Sequence, residues 1–137
     1  MAISLGFFLD AGLTQPAPSL TFVHAIDDSL PFVKQRVFLG SPVGTSTFQA
    51  ASNPGVDDIE VTIEDPNLPD GFDPIHVKLS DTELGLDSAV PGDPLVIGPQ
   101  ILGGAGNAAE VWVQVIDTNL AQGTYTLTPT TNLVAEF

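Results

Sequence analysis

Twelve prolines and thirteen glycines, spread evenly along 137 residues, cut this chain into pieces too short for a stable isolated helix and suited to strands. Proline offers no backbone N–H to a helix or a sheet ladder, and glycine loses the most backbone entropy inside either, so both mark turns. Between the breaks, apolar residues recur with period two, the signature of a strand with one buried face.

The clearest run is Asp58 to Ile63, which sets Ile59, Val61 and Ile63 inward and Glu60 and Thr62 outward. Ile75 to Leu79 repeats the pattern, with Ile75, Val77 and Leu79 inward and His76 and Lys78 outward. Ser19 to Ile26, Phe32 to Leu39, Leu95 to Ile97, Glu110 to Ile116, Thr124 to Thr128 and Leu133 to Phe137 complete the set, and 98–106 reads as a flexible apolar loop. Seven or eight short strands separated by Gly, Pro and Asp turns predict an all-β, antiparallel β-sandwich, with a small β-barrel as the alternative. Residues 19–137 form the single domain. Residues 1–18 stand apart as an extended N-terminal arm, because the apolar run Phe7, Phe8 and Leu9 is followed by a linker-like TQPAPS. An apolar arm is a liability in water, so Phe7, Phe8 and Leu9 are the candidate partner-docking residues; pairing of the arm as the first strand of its own sheet is the other reading.

Charge excludes several partners. Seventeen carboxylates against three cations give a formal net charge of −14 at pH 7, which opposes phosphate backbones and anionic membranes alike. Neither nucleic acid nor membrane is an expected partner, and no stretch approaches the length of a membrane span. The apolar content of 43% is that of a chain that folds rather than of a disordered acidic tail. Without cysteine there is no disulfide, thiolate zinc site or thiol catalysis. MAISLGFFLD has no basic residue before its apolar run and an acid at position 10, so no signal peptide is expected.

Chemistry-bearing clusters are few. Asp57, Asp58, Glu60, Glu64, Asp65, Asp70 and Asp73 fall within 57–73 with no cation among them, and Asp65, Asn67, Asp70 and Asp73 form an admissible calcium ligand set. Pro69 interrupts the EF-hand spacing, and Asp-Pro and Pro-Asp-Gly account for the same residues as turn formers. The expectation is an acidic connection between strands, with no metal or cofactor. Gly104 to Ala109 mimics a dinucleotide fingerprint but leads into a strand instead of a helix. His24 and His76, the only histidines, fit a hydrogen-bonded strand residue and a solvent-facing one, and no serine stands in a G-x-S-x-G elbow. No enzymatic activity is expected. Trp112 points away from the face of Val111, Val113 and Val115, as packing on the second face or as an exposed contact.

Two resemblances add to this reading. Asp117 to Tyr125, DTNLAQGTY followed by TLT, resembles the D-x-G-x-Y approach to a late strand of immunoglobulin-like domains, with a longer Asp-to-Gly spacing and without the two cysteines. It implies an immunoglobulin-like sandwich of the bacterial or viral kind. VFLGSPVGTSTFQAASNPGVDDIEVTI, together with GGAGNAAEVWVQVID and GTYTLTPTTNLV, is similar in texture to small structural proteins of tailed-bacteriophage virions. That resemblance implies a non-enzymatic virion component docked on capsid, neck, tail or baseplate proteins, present as a homo-oligomer or in many copies, and made in the host cytoplasm. A glycan- or calcium-binding module for cell-surface attachment is the alternative of another class.

Overall fold

The alternation read along the chain becomes eleven strands among the residues that the computed structural model describes, which are 4–17, 20–24, 34–64, 77–115 and 123–137. In chain order they are β1 (Gly6–Phe8), β2 (Leu20–His24), β3 (Lys34–Gly40), β4 (Thr47–Ala50), β5 (Ile59–Glu64), β6 (Val77–Ser80), β7 (Leu95–Gly98), β8 (Ile101–Leu102), β9 (Ala109–Val115), β10 (Gly123–Thr131) and β11 (Val134–Glu136). Two short 3-10 turns, Leu84–Asp87 and Ala105–Asn107, are the only helical pieces among them.

The strands form three antiparallel sheets: β1-β3-β9-β6, β2-β10-β5-β7 and β11-β4-β8. All three feed one core. The first contributes Val37, Leu39, Val77, Leu79, Val111, Val113 and Val115, the second Ile59 and Val61, and the third Phe48, Ala50, Ile101 and Val134. Period two produces this: each of these strands turns alternate side chains inward, and one-residue slippage would expose the whole set. The protein is therefore all-β and sandwich-like.

The strand count exceeds the seven or eight expected. β4 and β8 hold four and two residues, too few to carry a period. The 98–106 segment, expected as a flexible loop, contains β8 and a 3-10 turn, and its corner depends on glycine. A Cβ at Gly103 would lie 1.9 Å from the Val43 carbonyl oxygen. β10 also runs further than expected, through Pro129 to Thr131. Its Gly123–Leu127 half pairs with β2 and its Thr128–Thr131 half with β5. Asn132 N donates to Glu60 O at 3.3 Å, so by alternation the nitrogen of Pro129 faces away from β5. A proline can sit in that place without costing the β5 ladder a bond.

The N-terminal segment belongs to the first sheet. Gly6, Phe7 and Phe8 pair with Gly40, Leu39 and Phe38. The chain then turns back along the outer edge of β1: Leu9 N donates to Gln15 O at 2.9 Å and Ala17 N to Phe7 O at 2.8 Å, with Pro16 bridged to Phe8. Asp10 holds this turn, its carboxylate accepting from Thr14 N and Gln15 N, both at 2.9 Å, and from the Thr14 hydroxyl. Those bonds, the Thr14 hydroxyl first, hold the Asp10 carboxyl below the usual carboxylate range. Leu13 takes φ 56° yet is buried, its methyl lying where a Cβ on Gly40 would meet it at 3.1 Å. The packing of Leu13 over a residue without a side chain holds a conformation that a leucine rarely adopts.

Candidate functional site

Alternation in β1 separates the three residues expected to dock a partner. Phe7, opposite Leu39, packs against the core, whereas Phe8, opposite Phe38, lies on the outer face of the first sheet. Leu9 is past the strand and 51% exposed. They form no common patch, and the β1 edge is covered by residues 15–17, with Pro16 in the middle. Adding a strand there would require displacing that cover.

The outer face of the first sheet gathers all three cations of the chain. Lys34 and Lys78 flank Gln114 in one cross-strand row, and Arg36, Trp112 and Ser80 form the next. The Arg36 guanidinium lies 5.0 Å from the Phe38 ring centre and 5.4 Å from that of Trp112, within cation–π range. The Trp112 indole N–H donates to Glu110, which also lies 3.7 Å from Arg36. The loop after β6 folds over the rest of the face: buried Leu86 sits on it, Lys78 Nζ donates to Leu86 O at 3.1 Å, and Glu83 stands 3.9 Å from Lys34. Trp112 is thus a second-face packing residue whose N–H is already used. Each cation meets an acid or a carbonyl of its own chain.

The third sheet presents the opposite character. Its register puts Phe48, Ala50, Ile101 and Val134 toward the core. The outer face therefore consists of Thr47, Gln49 and Ala51 from β4 and its end, Leu133, Ala135 and Phe137 around β11, and Gln100 and Leu102 around β8. The backbone ladder extends past the strands, since Thr47 N donates to Phe137 O at 3.0 Å and Phe137 N to Thr47 O at 2.7 Å. Phe137, Thr47 and Leu102 consequently form one row, and Gln49 Nε2 reaches Gln100 Oε1 at 3.3 Å in the next. Leu133 is 80% exposed, Phe137 62% and Leu102 46%. Exposed Val43 and Val56 lie in the loops before and after β4. No side chain at these strand positions ionises, in a chain of net charge −14, and the exposed Asp57 and Asp58 follow Val56 at the edge.

Glu136, the one acid in β11, is turned away from that face. It lies opposite Phe48, at the rim of the core side, and its carboxylate accepts from Ser4 N at 2.9 Å, Ser46 Oγ at 2.7 Å and Ser4 Oγ at 3.0 Å. The Ser4 backbone bond, then the Ser46 hydroxyl, holds the Glu136 carboxyl below its usual range. Ser41, fully buried, meets Ser4 Oγ at 2.8 Å and accepts from Val43 N at 3.1 Å, which completes the cluster. The cluster ties the segment before β1, the loop before β4 and the last strand together.

Of the other residues singled out in the sequence, Asp65, Asn67, Asp70, Asp73 and His76 lie outside the described residues, as do Asp117 to Gln122. Tyr125 is placed in β10, opposite Phe22. Among the described residues no group of three or more His, Asp or Glu side chains is arranged to hold a metal ion, and no helix is long and apolar enough to cross a membrane. A small cavity of about 50 Å³, lined by Thr62, Ile63, Val77, Leu79, Gly92 and Asp93, has room for a water or two. No protein-family model matches the chain, and no curated protein or solved structure matches it.

Proposed function

We propose that the chain is a non-enzymatic structural protein of a tailed-bacteriophage virion, held in the particle by protein–protein docking through the outer face of its third sheet. One observation carries the docking part: Leu133, Phe137 and Leu102 stand exposed on a face without an ionisable side chain, while the rest of the chain bears a large excess of carboxylates. Isolated exposed apolar residues are ordinary on any protein surface, but a sheet face that combines them and excludes charge has the composition of an interface core. The phage part rests on the similarity of 37–63, 103–117 and 123–134 to small virion proteins, and capsid, neck, tail and baseplate are all open as its place. The immunoglobulin-like form of the sandwich belongs to the same proposal.

The test is co-sedimentation. Particles purified from infected cells on a density gradient are expected to carry the chain at a fixed copy number, a ratio that repeated banding leaves unchanged. A chain found wholly in the soluble fraction would refute the virion role.

A further inference from the structure

We propose that residues 9–17 are a guard over the outer edge of β1, latched by Asp10, and that removing the Asp10 charge lifts the guard while the sheet beneath stays folded. An open strand edge is a template for unwanted pairing, and a short covering segment is one way a sheet protects it. Two backbone bonds join this cover to the edge, Leu9 N to Gln15 O at 2.9 Å and Ala17 N to Phe7 O at 2.8 Å. Pro16 between them has no N–H to add a third. Its apolar hold rests on Leu13 and Ala17, since Leu9, Ala11, Gly12, Thr14, Gln15 and Pro16 are all exposed. The turn that brings the chain back has little preference of its own, because Leu13 sits at φ 56°. One side chain closes it: the Asp10 carboxylate accepts from Thr14 N, Gln15 N and the Thr14 hydroxyl.

Asp10 is held by hydroxyl and backbone donors. Among the described residues no titratable group of β1, of β3 or of the guard itself shares a hydrogen bond or ion pair with it. Those donors favour the charged form, the Thr14 hydroxyl first, so the folded-state pKa lies below the ordinary value. The latch is therefore fully present above the unfolded-state value, about 3.9, and is lost as pH falls through the lower folded value. β1 has holds of its own in its pairing with β3, in Phe7 against the core and in Ser4 bonded to Glu136. Glu136 titrates in the same direction, so acid loosens both ends of the segment, and a substitution at Asp10 near neutral pH separates them. A lifted guard frees Phe7 O and Leu9 N and leaves β1 as an open edge.

The experiment is amide hydrogen exchange of the full chain, resolved by residue in NMR spectra, for wild type, Asp10→Asn and Glu136→Gln between about pH 7 and pH 3. Each rate is divided by the intrinsic rate at that pH. Leu9 and Ala17 report the guard, and Val113, buried and paired with Gln35 and Leu79 on its two sides, reports the sheet. At pH 7, Asp10→Asn is expected to lower the protection of Leu9 and Ala17 at least about tenfold more than that of Val113. Glu136→Gln should move the three together. Wild type should lose the same guard-specific protection below about pH 4, where Asp10→Asn loses no more. If acid unfolds the whole wild-type chain, seen as Val113 losing protection too, the comparison at pH 7 decides. Leu9 and Ala17 as protected in Asp10→Asn as in wild type at pH 7 would overturn the inference, and so would exchange of all three amides in step in every variant.

Discussion

Ser4 and Glu136, 132 positions apart, are joined twice: the Ser4 backbone N–H donates to one carboxylate oxygen at 2.9 Å and its hydroxyl to the other at 3.0 Å. The pair ties the segment before β1 to the last strand, with Ser46 bonded to the same carboxylate. It also removes the only acid of β11 from the outer face of the third sheet.

The Ser4–Glu136 tie has a pH signature. The folded-state pKa of Glu136 is depressed, so its contribution is fully present above the unfolded-state value, about 4.3, and is lost as pH falls through the lower folded value. Glu136→Gln should lower the melting temperature near neutral pH, and the gap to wild type should close on acidification below about pH 4. A gap independent of pH from 7 to 3 would contradict the role of the charged form. Thermal melts followed by circular dichroism across that range decide it.

Phe48 and Phe137 occupy opposite faces of the third sheet, and truncation should separate them. Phe48 is fully buried, so Phe48→Ala is expected to cost about 3–5 kcal/mol, whereas Phe137→Ala, 62% exposed, should stay within about 0.5 kcal/mol. Urea titrations give both numbers. Comparable losses would mean that the register of β11 on β4 is wrong.

Two glycines of one loop should respond differently to alanine. At Gly103 a Cβ would meet the Val43 carbonyl at 1.9 Å, and the backbone has to move, at a cost of about 1–3 kcal/mol. At Gly106 nothing lies within 4 Å, so Gly106→Ala should be neutral or slightly stabilising. Equal effects would argue against the close approach of 43 to 103.

Arg36 lies against Phe38 and the chain's single tryptophan, which makes that contact visible in fluorescence. Arg36→Lys keeps the charge and loses the flat guanidinium. The emission maximum of Trp112 is expected to shift, with a stability loss of about 1 kcal/mol or less, since the group is half exposed. An unchanged spectrum would show that the guanidinium does not rest on the indole.

How much of this was legible in the sequence varies by sheet. Ile59, Val61 and Ile63, Val77 and Leu79, and Val111, Val113 and Val115 declare their inward faces by alternation alone, and the all-β class follows from them. The third sheet was not legible. In Leu133 to Phe137 alternation groups Leu133, Ala135 and Phe137 as the apolar set and puts Glu136 with Val134, which would turn Glu136 outward and bury Phe137. The structure does the reverse, because Val134 fits the core beside Phe48 and Ala50, while Glu136 finds its donors on Ser4 and Ser46. Partners 132 and 90 residues distant leave no local pattern. The run Phe7, Phe8, Leu9 left docking and pairing in its own sheet both open, since consecutive apolar residues look like one patch until a strand sends them to opposite sides, as β1 does on β3.

The central claim is that the uncharged outer face of the third sheet holds this chain in a particle. Its most direct test is competitive incorporation. Wild type and Leu133→Glu, labelled to distinguish them by mass, are supplied at equal levels during infection, and their copies are counted in purified particles. Expected is a variant that melts like wild type in isolation yet is depleted in particles by about tenfold or more. Equal incorporation of the two chains would contradict the claim.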